Sequence, residues 1–197
     1  MAKKFLIGID EVGRGPLAGP VAVCALGLGP KFAPANFRNF KDSKKLSHEQ
    51  RLKWLEKIDE EKKKENIIYK VSFESNKIID RKGLTFAIKK ALANSLNFLN
   101  IKPVDCEVLL DGGLKAPAEY LNQKTIIKGD EKKLSIALAS IVAKVARDTL
   151  MVRLAKKYPG YGLEKHKGYG TADHYKALKK YGISAIHRKS FLRGLKT

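Results

Sequence analysis

The sequence predicts an α/β fold: a central mixed β-sheet flanked by helices, with a helical C-terminal extension. Three observations predict it. Apolar runs of strand length recur through the first two thirds of the chain. Residues 132–158 carry a long helical pattern, apolar on more than half its face, which must pack against a sheet. Beyond Pro159-Gly160 the composition turns rich in Gly, Tyr and His before one last short helix. A chain of 197 residues is long enough for one well-cored domain, here a core over about 1–158 and an extension over about 159–197.

Each element has its own reason. "KFLIGID" (4–10) is apolar on both faces, as a central strand is. "PVAVCALGL" (20–28) is a second strand, opened by Pro20 where a missing N–H is tolerated. Residues 29–46 read as loop. Ser47 and Gln50 then form a capping box, and "RLKWLEKIDEEKKK" continues it as an amphipathic helix. "IIYKVSF" (67–73) alternates as a strand does. Ser75 begins a helical stretch that breaks or restarts near Gly83 and runs through "LTFAIKKALANSLNFL". "CEVLLDGG" and "KTIIKGD" are two more strands, each ending in an aspartate and glycine. The long helix over 132–158 and a short one from about Ala172 to Tyr181 complete the order. No internal repeat or low-complexity linker interrupts it.

The charge narrows the function. Forty Lys+Arg against twenty Asp+Glu give a formal +20 and a pI near 9.9, a field that attracts polyanions and suits a nucleic-acid binder. Cys24 and Cys106 lie in apolar runs with no CxxC and no nearby histidine, so buried free thiols are expected and a zinc site is not. "MAKKFLIGID" lacks a cleavage-site pattern, and the longest apolar runs are too short to span a bilayer. A soluble cytoplasmic protein with no membrane partner is expected.

Against this basic background the acids stand out. Three strand candidates end on acid: Asp10-Glu11, Asp111 and Asp130. Singly, Asp-Gly-Gly is a turn signal and Asp130 a helix cap. Together they suggest one site, because strand ends of an α/β sheet gather on one edge. Carboxylates crowded there repel one another and lose hydration unless hard divalent cations such as Mg²⁺ sit among them. Cations to hold a nucleic-acid backbone and acids to hold metals are what a metal-dependent phosphodiesterase needs. Successive strand residues face opposite sides, so Asp10 and Glu11 can share a centre only if the extended chain ends between them, with a bend at Val12-Gly13. Gly13 and Gly15 would let backbone amides approach a nucleic-acid strand, with Arg14 aimed at it.

The chain resembles the ribonuclease HII family. "GIDEVGRGPLAGPVAVCA" is close to its N-terminal signature, and the likeness continues through "KDSKKLS", "LLDGG", "KGD…IALASIVAKVARD" and "YPGYGLEKHKGYGT" to "HRKSF". Leu138 departs from the alanine-rich run usual there, which bears on helix packing. The resemblance implies a ribonuclease-H-like fold with a substrate-binding C-terminal extension. It implies cleavage of RNA in RNA/DNA hybrids, incision 5′ to ribonucleotides embedded in duplex DNA, and a role in removing misincorporated ribonucleotides. The family's four catalytic, metal-holding acids fall on Asp10, Glu11, Asp111 and Asp130, with two Mn²⁺ or Mg²⁺ ions as cofactors. Its readers of the ribose 2′-OH fall on Gly13, Arg14 and Gly15, and its junction-sensing tyrosine on Tyr169. A monomer is expected. Ribonuclease HIII fits less well, since the motif begins at residue 7 and Arg14 suits the HII pattern. The rivals are a junction resolvase and a non-catalytic hybrid binder, and a binder has no reason to gather four carboxylates against its ligand's charge.

Other residues have plainer readings. Asp148 lies one helical turn after Lys144 and next to Arg147, as in an ion pair or distal support. His166 and His174 lack the tight spacing of a metal pair and suit hydrogen bonding or phosphate contact. Lys44, Lys45 and Lys167 are candidate phosphate contacts. Trp54 joins Leu52 and Leu55 on a helix and is expected to be buried in part.

Overall fold

The computed structural model describes residues 4–37 and 46–194. Among them five strands form one sheet in the order β3-β2-β1-β4-β5, with β1 Phe5–Val12, β2 Val21–Leu28, β3 Ile67–Glu74, β4 Cys106–Asp111 and β5 Gln123–Ile126. The first three strands are antiparallel neighbours; β1, β4 and β5 run parallel, which makes the sheet mixed. The helices are α1 His48–Lys63, α2 Asn76–Lys82, α3 Leu84–Leu99, α4 Gly129–Lys132, α5 Leu134–Lys157, α6 Leu163–His166 and α7 Ala172–Tyr181.

Both faces of the sheet are covered, which explains the unbroken apolar runs. Along β2, Val21, Val23 and Ala25 pack with Ile88, Leu92 and Leu96 of α3, while Cys24, Leu26 and Leu28 pack with Ile58 of α1 and Leu138, Ile141 and Val142 of α5. The alternation of period two thus divides one strand between two cores. α5 crosses β1 so closely that a Cβ on Gly8 would lie 2.1 Å from the Ser135 backbone. That contact sets the distance between the helix and the strand that carries Asp10.

The capping box before α1 forms as its spacing predicts: Ser47 Oγ accepts from the Gln50 amide at 3.2 Å and Gln50 Oε1 from the Ser47 amide at 2.8 Å. Trp54 is half-buried and stacks on Phe37 at 5.7 Å. Gly83, at φ +85°, separates α2 from α3. Cys24 and Cys106 are buried free thiols.

Two expectations are corrected. The strand expected through Asp130 ends at Ile126, because Lys128 turns left-handed (φ 55°) and starts the short α4. The long helix begins at Leu134, since Lys133 is extended (φ −130°, ψ 118°) and breaks it from α4. A third apolar cluster ties the C-terminal segment to the rest: Tyr161, Leu163, Leu178 and Ile186 pack on Met151 of α5 and on Leu17 and Ala18 of the β1–β2 connection.

Candidate active site

Parallel β1 and β4 bring their carboxyl ends to one edge of the sheet, where such folds build sites. A pocket of about 260 Å³ opens there, and Asp10, Glu11, Asp111, Ser140, Lys144 and Tyr169 are among its lining residues. The extended chain does not finish between Asp10 and Glu11 as expected: β1 stays paired with β2 through Val12, and the expected bend follows at Gly13, φ +90°. The pairing of β1 with β4 stops at Ile9, so the pocket reaches around an open strand edge. That edge lets residues from both faces of β1 share one cavity.

Asp10 is 7 % exposed; its Oδ1 accepts from the Glu11 amide at 2.8 Å, and Ser140 bonds it from α5. Burial, aided by the charges of Glu11 and Asp111, pushes its pKa up to about 7, while the Ser140 bond pulls the other way. Glu11 is raised by burial too, opposed by Arg14, whose guanidinium lies 2.9 Å from Oε1. Its Oε2 is buried with no hydrogen-bond partner. Asp111 accepts from the Gly129 amide at 2.6 Å. Gly129 is glycine because a Cβ there would meet Ile136 at 2.6 Å.

Asp130 is placed differently. It is the second residue of α4, 2 % exposed, and lines a separate depression with Phe37, Lys132 and Lys133. Its neighbour Gly129 touches Asp111, but the structure does not bring its carboxylate into the pocket of the other three. Among the described residues no three His, Cys, Asp or Glu side chains are gathered as a bound metal would hold them. Asp10, Glu11 and Asp111 nevertheless fit divalent cations. An orphaned buried oxygen on Glu11, and a carboxyl held near neutrality beside two others, are both relieved by a cation.

The three residues at 13–15 separate into different roles. Gly13 has φ +90°, and a Cβ there would lie 2.2 Å from Arg147 Nε. Gly15 is outside the left-handed region, and its missing Cβ would meet only Tyr169, at 3.9 Å. The fold requires glycine at 13 and leaves space at 15. Gly13→Ala should therefore cost about 2–3 kcal/mol in urea melts. Gly15→Ala should stay within about 0.5 kcal/mol of the parent, so any loss of substrate affinity it shows belongs to the ligand. Arg14, expected to be aimed at the nucleic-acid strand, is an exposed side chain that forms an ion pair with Glu11. Tyr169 lines the pocket and is 39 % exposed.

Two buried arginines hold this edge, and sequence reasoning missed both. Arg188 donates to the carbonyls of Gly13 (2.7 Å), Arg14 (2.8 Å) and Gly19 (2.9 Å). Arg147 donates to Pro20 (2.9 Å), Lys167 (3.1 Å) and Ala18 (3.3 Å). Both are wholly buried. Arg147 had a signal: it falls between Ala143 and Met151 at four-residue spacing, a cation inside the apolar stripe of α5. Arg188 had none.

Asp148 pairs with Lys144 at 2.9 Å, as its spacing suggests. Lys167 bonds the carbonyls of Glu164 and Lys165. Lys44 and Lys45 lie outside the described residues. His166 and His174 stay away from the acids and make hydrogen bonds. Burial, reinforced by His174, holds His187 down at about 4. An unfolded histidine titrates near 6.5, so between ~6.5 and ~4 the unfolded state takes up the proton and stability falls with pH. Asp10 opposes this across much of the same window, because its raised pKa makes the folded state bind the proton. Melting temperature should therefore fall more steeply on acidification in Asp10→Asn than in the parent, as melts at pH 7 and pH 4.5 would measure.

Comparisons with known proteins bear on the family and the fold. The family model described as Ribonuclease HII matches residues 7–194. A ribonuclease HII of Caldicellulosiruptor bescii is 45 % identical over 98 % of this chain and 88 % of its own length. One of Clostridium beijerinckii is 45 % identical over 98 % of this chain and 69 % of its own. The ribonuclease HII solved in a PCNA complex from Archaeoglobus fulgidus is 25 % identical, with a TM-score of 0.76 over 98 % of both chains. With a matching model over nearly its whole length and relatives this close, the chain belongs to the ribonuclease HII family of endoribonucleases.

Proposed function

We propose that the chain hydrolyses RNA in RNA/DNA hybrids and incises duplex DNA on the 5′ side of an embedded ribonucleotide, leaving 3′-OH and 5′-phosphate ends. The observation that carries it is the convergence of Asp10, Glu11 and Asp111 in one pocket with Tyr169, on a protein of formal charge +20. Those three residues would hold Mg²⁺ or Mn²⁺, two ions in all by the family resemblance, which adds Asp130 from α4, next to the Gly129 that bonds Asp111. Such ions, when bound, activate the attacking water and stabilise the leaving 3′-oxygen.

The chain's own groups do the rest. Arg14, an exposed side chain paired with Glu11, would turn from that carboxylate toward substrate. The open space at Gly15 admits a backbone close to the Tyr169 ring. Together they would read the 2′-OH, which separates RNA from DNA. The segment over about 159–197 would act as the substrate-binding extension, holding Tyr169 at the pocket. One chain supplies every group named, so a monomer suffices. Two buried free thiols suit a reducing cytoplasm, and among the described residues no helix is long and apolar enough to cross a membrane.

The test is a duplex carrying one ribonucleotide. A polymerase should extend the nick, EDTA should stop the reaction, and Arg14→Ala and Tyr169→Ala should lower preference for that site. A 2′,3′-cyclic phosphate end would make the 2′-OH the nucleophile, and cleavage that survives EDTA would show that no metal is needed; either would overturn the mechanism.

A further inference from the structure

Three histidines of the C-terminal segment form a row that leads to Tyr169. The rings of His166 and His174 stack at 4.4 Å, and those of His174 and His187 lie 5.2 Å apart. His174 and His187 are 0 % and 1 % exposed, and neither lines the acid pocket. Their protonation can be read from backbone groups, which only donate or only accept.

Ser184 donates its amide to His187 Nδ1 at 3.1 Å, and its hydroxyl lies 2.8 Å from the same atom. A neutral His187 therefore carries its proton on Nε2, which faces His174 Nε2 at 3.0 Å. His174 must accept there, so its own proton is on Nδ1, 2.9 Å from the Tyr169 carbonyl. The tautomers agree from one end to the other. Ser184 donates to His187, His187 to His174, and His174 to the backbone of the residue whose ring lines the pocket. The Thr171 amide, at 2.9 Å, gives that carbonyl its second donor.

We propose that His174 is a positioning residue for substrate reading, held in its donor tautomer by His187 and Ser184 so that the Tyr169 ring keeps one orientation at the acid pocket. The inference rests on Tyr169 reading the ribonucleotide. A buried polar chain satisfied at every nitrogen fixes one geometry, whereas apolar packing would leave the carbonyl of Tyr169 with a single donor.

Asparagine places an amide donor near the position of histidine Nδ1, and glutamine near that of Nε2. The experiment compares His174→Asn, His174→Gln and Tyr169→Ala. Its readout is the ratio of kcat/KM on a duplex with one ribonucleotide to kcat/KM on a uniform RNA/DNA hybrid. Taken within one preparation, this ratio is insensitive to any unfolded fraction, and melting temperatures are recorded alongside. Tyr169→Ala and His174→Gln should each lower the ratio roughly tenfold, the effect of one lost hydrogen bond. His174→Asn should keep it within about threefold. Equal ratios in the Asn and Gln variants, with Tyr169→Ala still low, would overturn the relay and leave the reader standing. An unchanged ratio in Tyr169→Ala would remove the reader itself and the inference with it.

Discussion

Asp10→Asn is expected to abolish cleavage and yet raise stability at neutral pH. The carboxyl is 7 % exposed, and burial beside Glu11 and Asp111 lifts its pKa to about 7. A carboxyl raised in the folded state favours folding in acid and loses that advantage as pH climbs from its ordinary 3.8 to about 7. At neutral pH the folded protein therefore holds a charge it would prefer to lose. Asparagine keeps the shape and an acceptor for the Glu11 amide without that charge, so the variant should gain ~1–3 kcal/mol in melts run with EDTA. Cleavage should fall by more than the ~10–100-fold that losing an outer partner of a metal site costs. Hybrid binding, read by anisotropy, should persist or strengthen, since one negative charge has left the face that meets phosphate. Asp111→Asn should lose cleavage equally but without the gain in stability, because its carboxylate already accepts the Gly129 amide at 2.6 Å. Near-parental turnover in either variant would remove that residue from the metal set.

Arg188→Ala should be the most destabilising single change in the chain's C-terminal segment. It strands three carbonyls, those of Gly13, Arg14 and Gly19, each held at 2.7–2.9 Å in a place with no solvent access to the guanidinium. Each stranded buried acceptor costs about 1–3 kcal/mol, and a cavity adds to it, so a net loss of about 4 kcal/mol is expected. In a chain of this size that lowers Tm by roughly 8–16 °C. Arg188→Lys should recover little, because one ammonium cannot replace a planar fork that reaches three oxygens at once. Activity should fall further than stability alone explains, since Gly13 and Arg14 lose the anchor that sets their backbone. A melt like the parent's would show that the segment from Gly13 to Gly19 holds itself without Arg188.

Much of this protein was legible in local patterns. The Ser47–Gln50 box, the apolar runs that became β1 and β2, the break at Gly83 and the Lys144–Asp148 pair depend on residues within a few positions of one another. Asp10, Glu11 and Asp111 were legible as a group because acids at strand ends of a basic chain need a common reason. The family resemblance named Tyr169, and the fold carries it to their pocket.

Tertiary structure decided the rest. It kept β1 paired through Val12 and turned the chain at Lys128 so that Asp130 left the strand. It also placed Arg188 on Gly13, 175 positions away, and joined His174 to His187 behind Tyr169. No local rule reaches those contacts. Outside an apolar helical stripe, a buried arginine or histidine such as Arg188 or His187 reads in sequence like any polar residue, and only the packed chain shows which partner removes the cost of burying it.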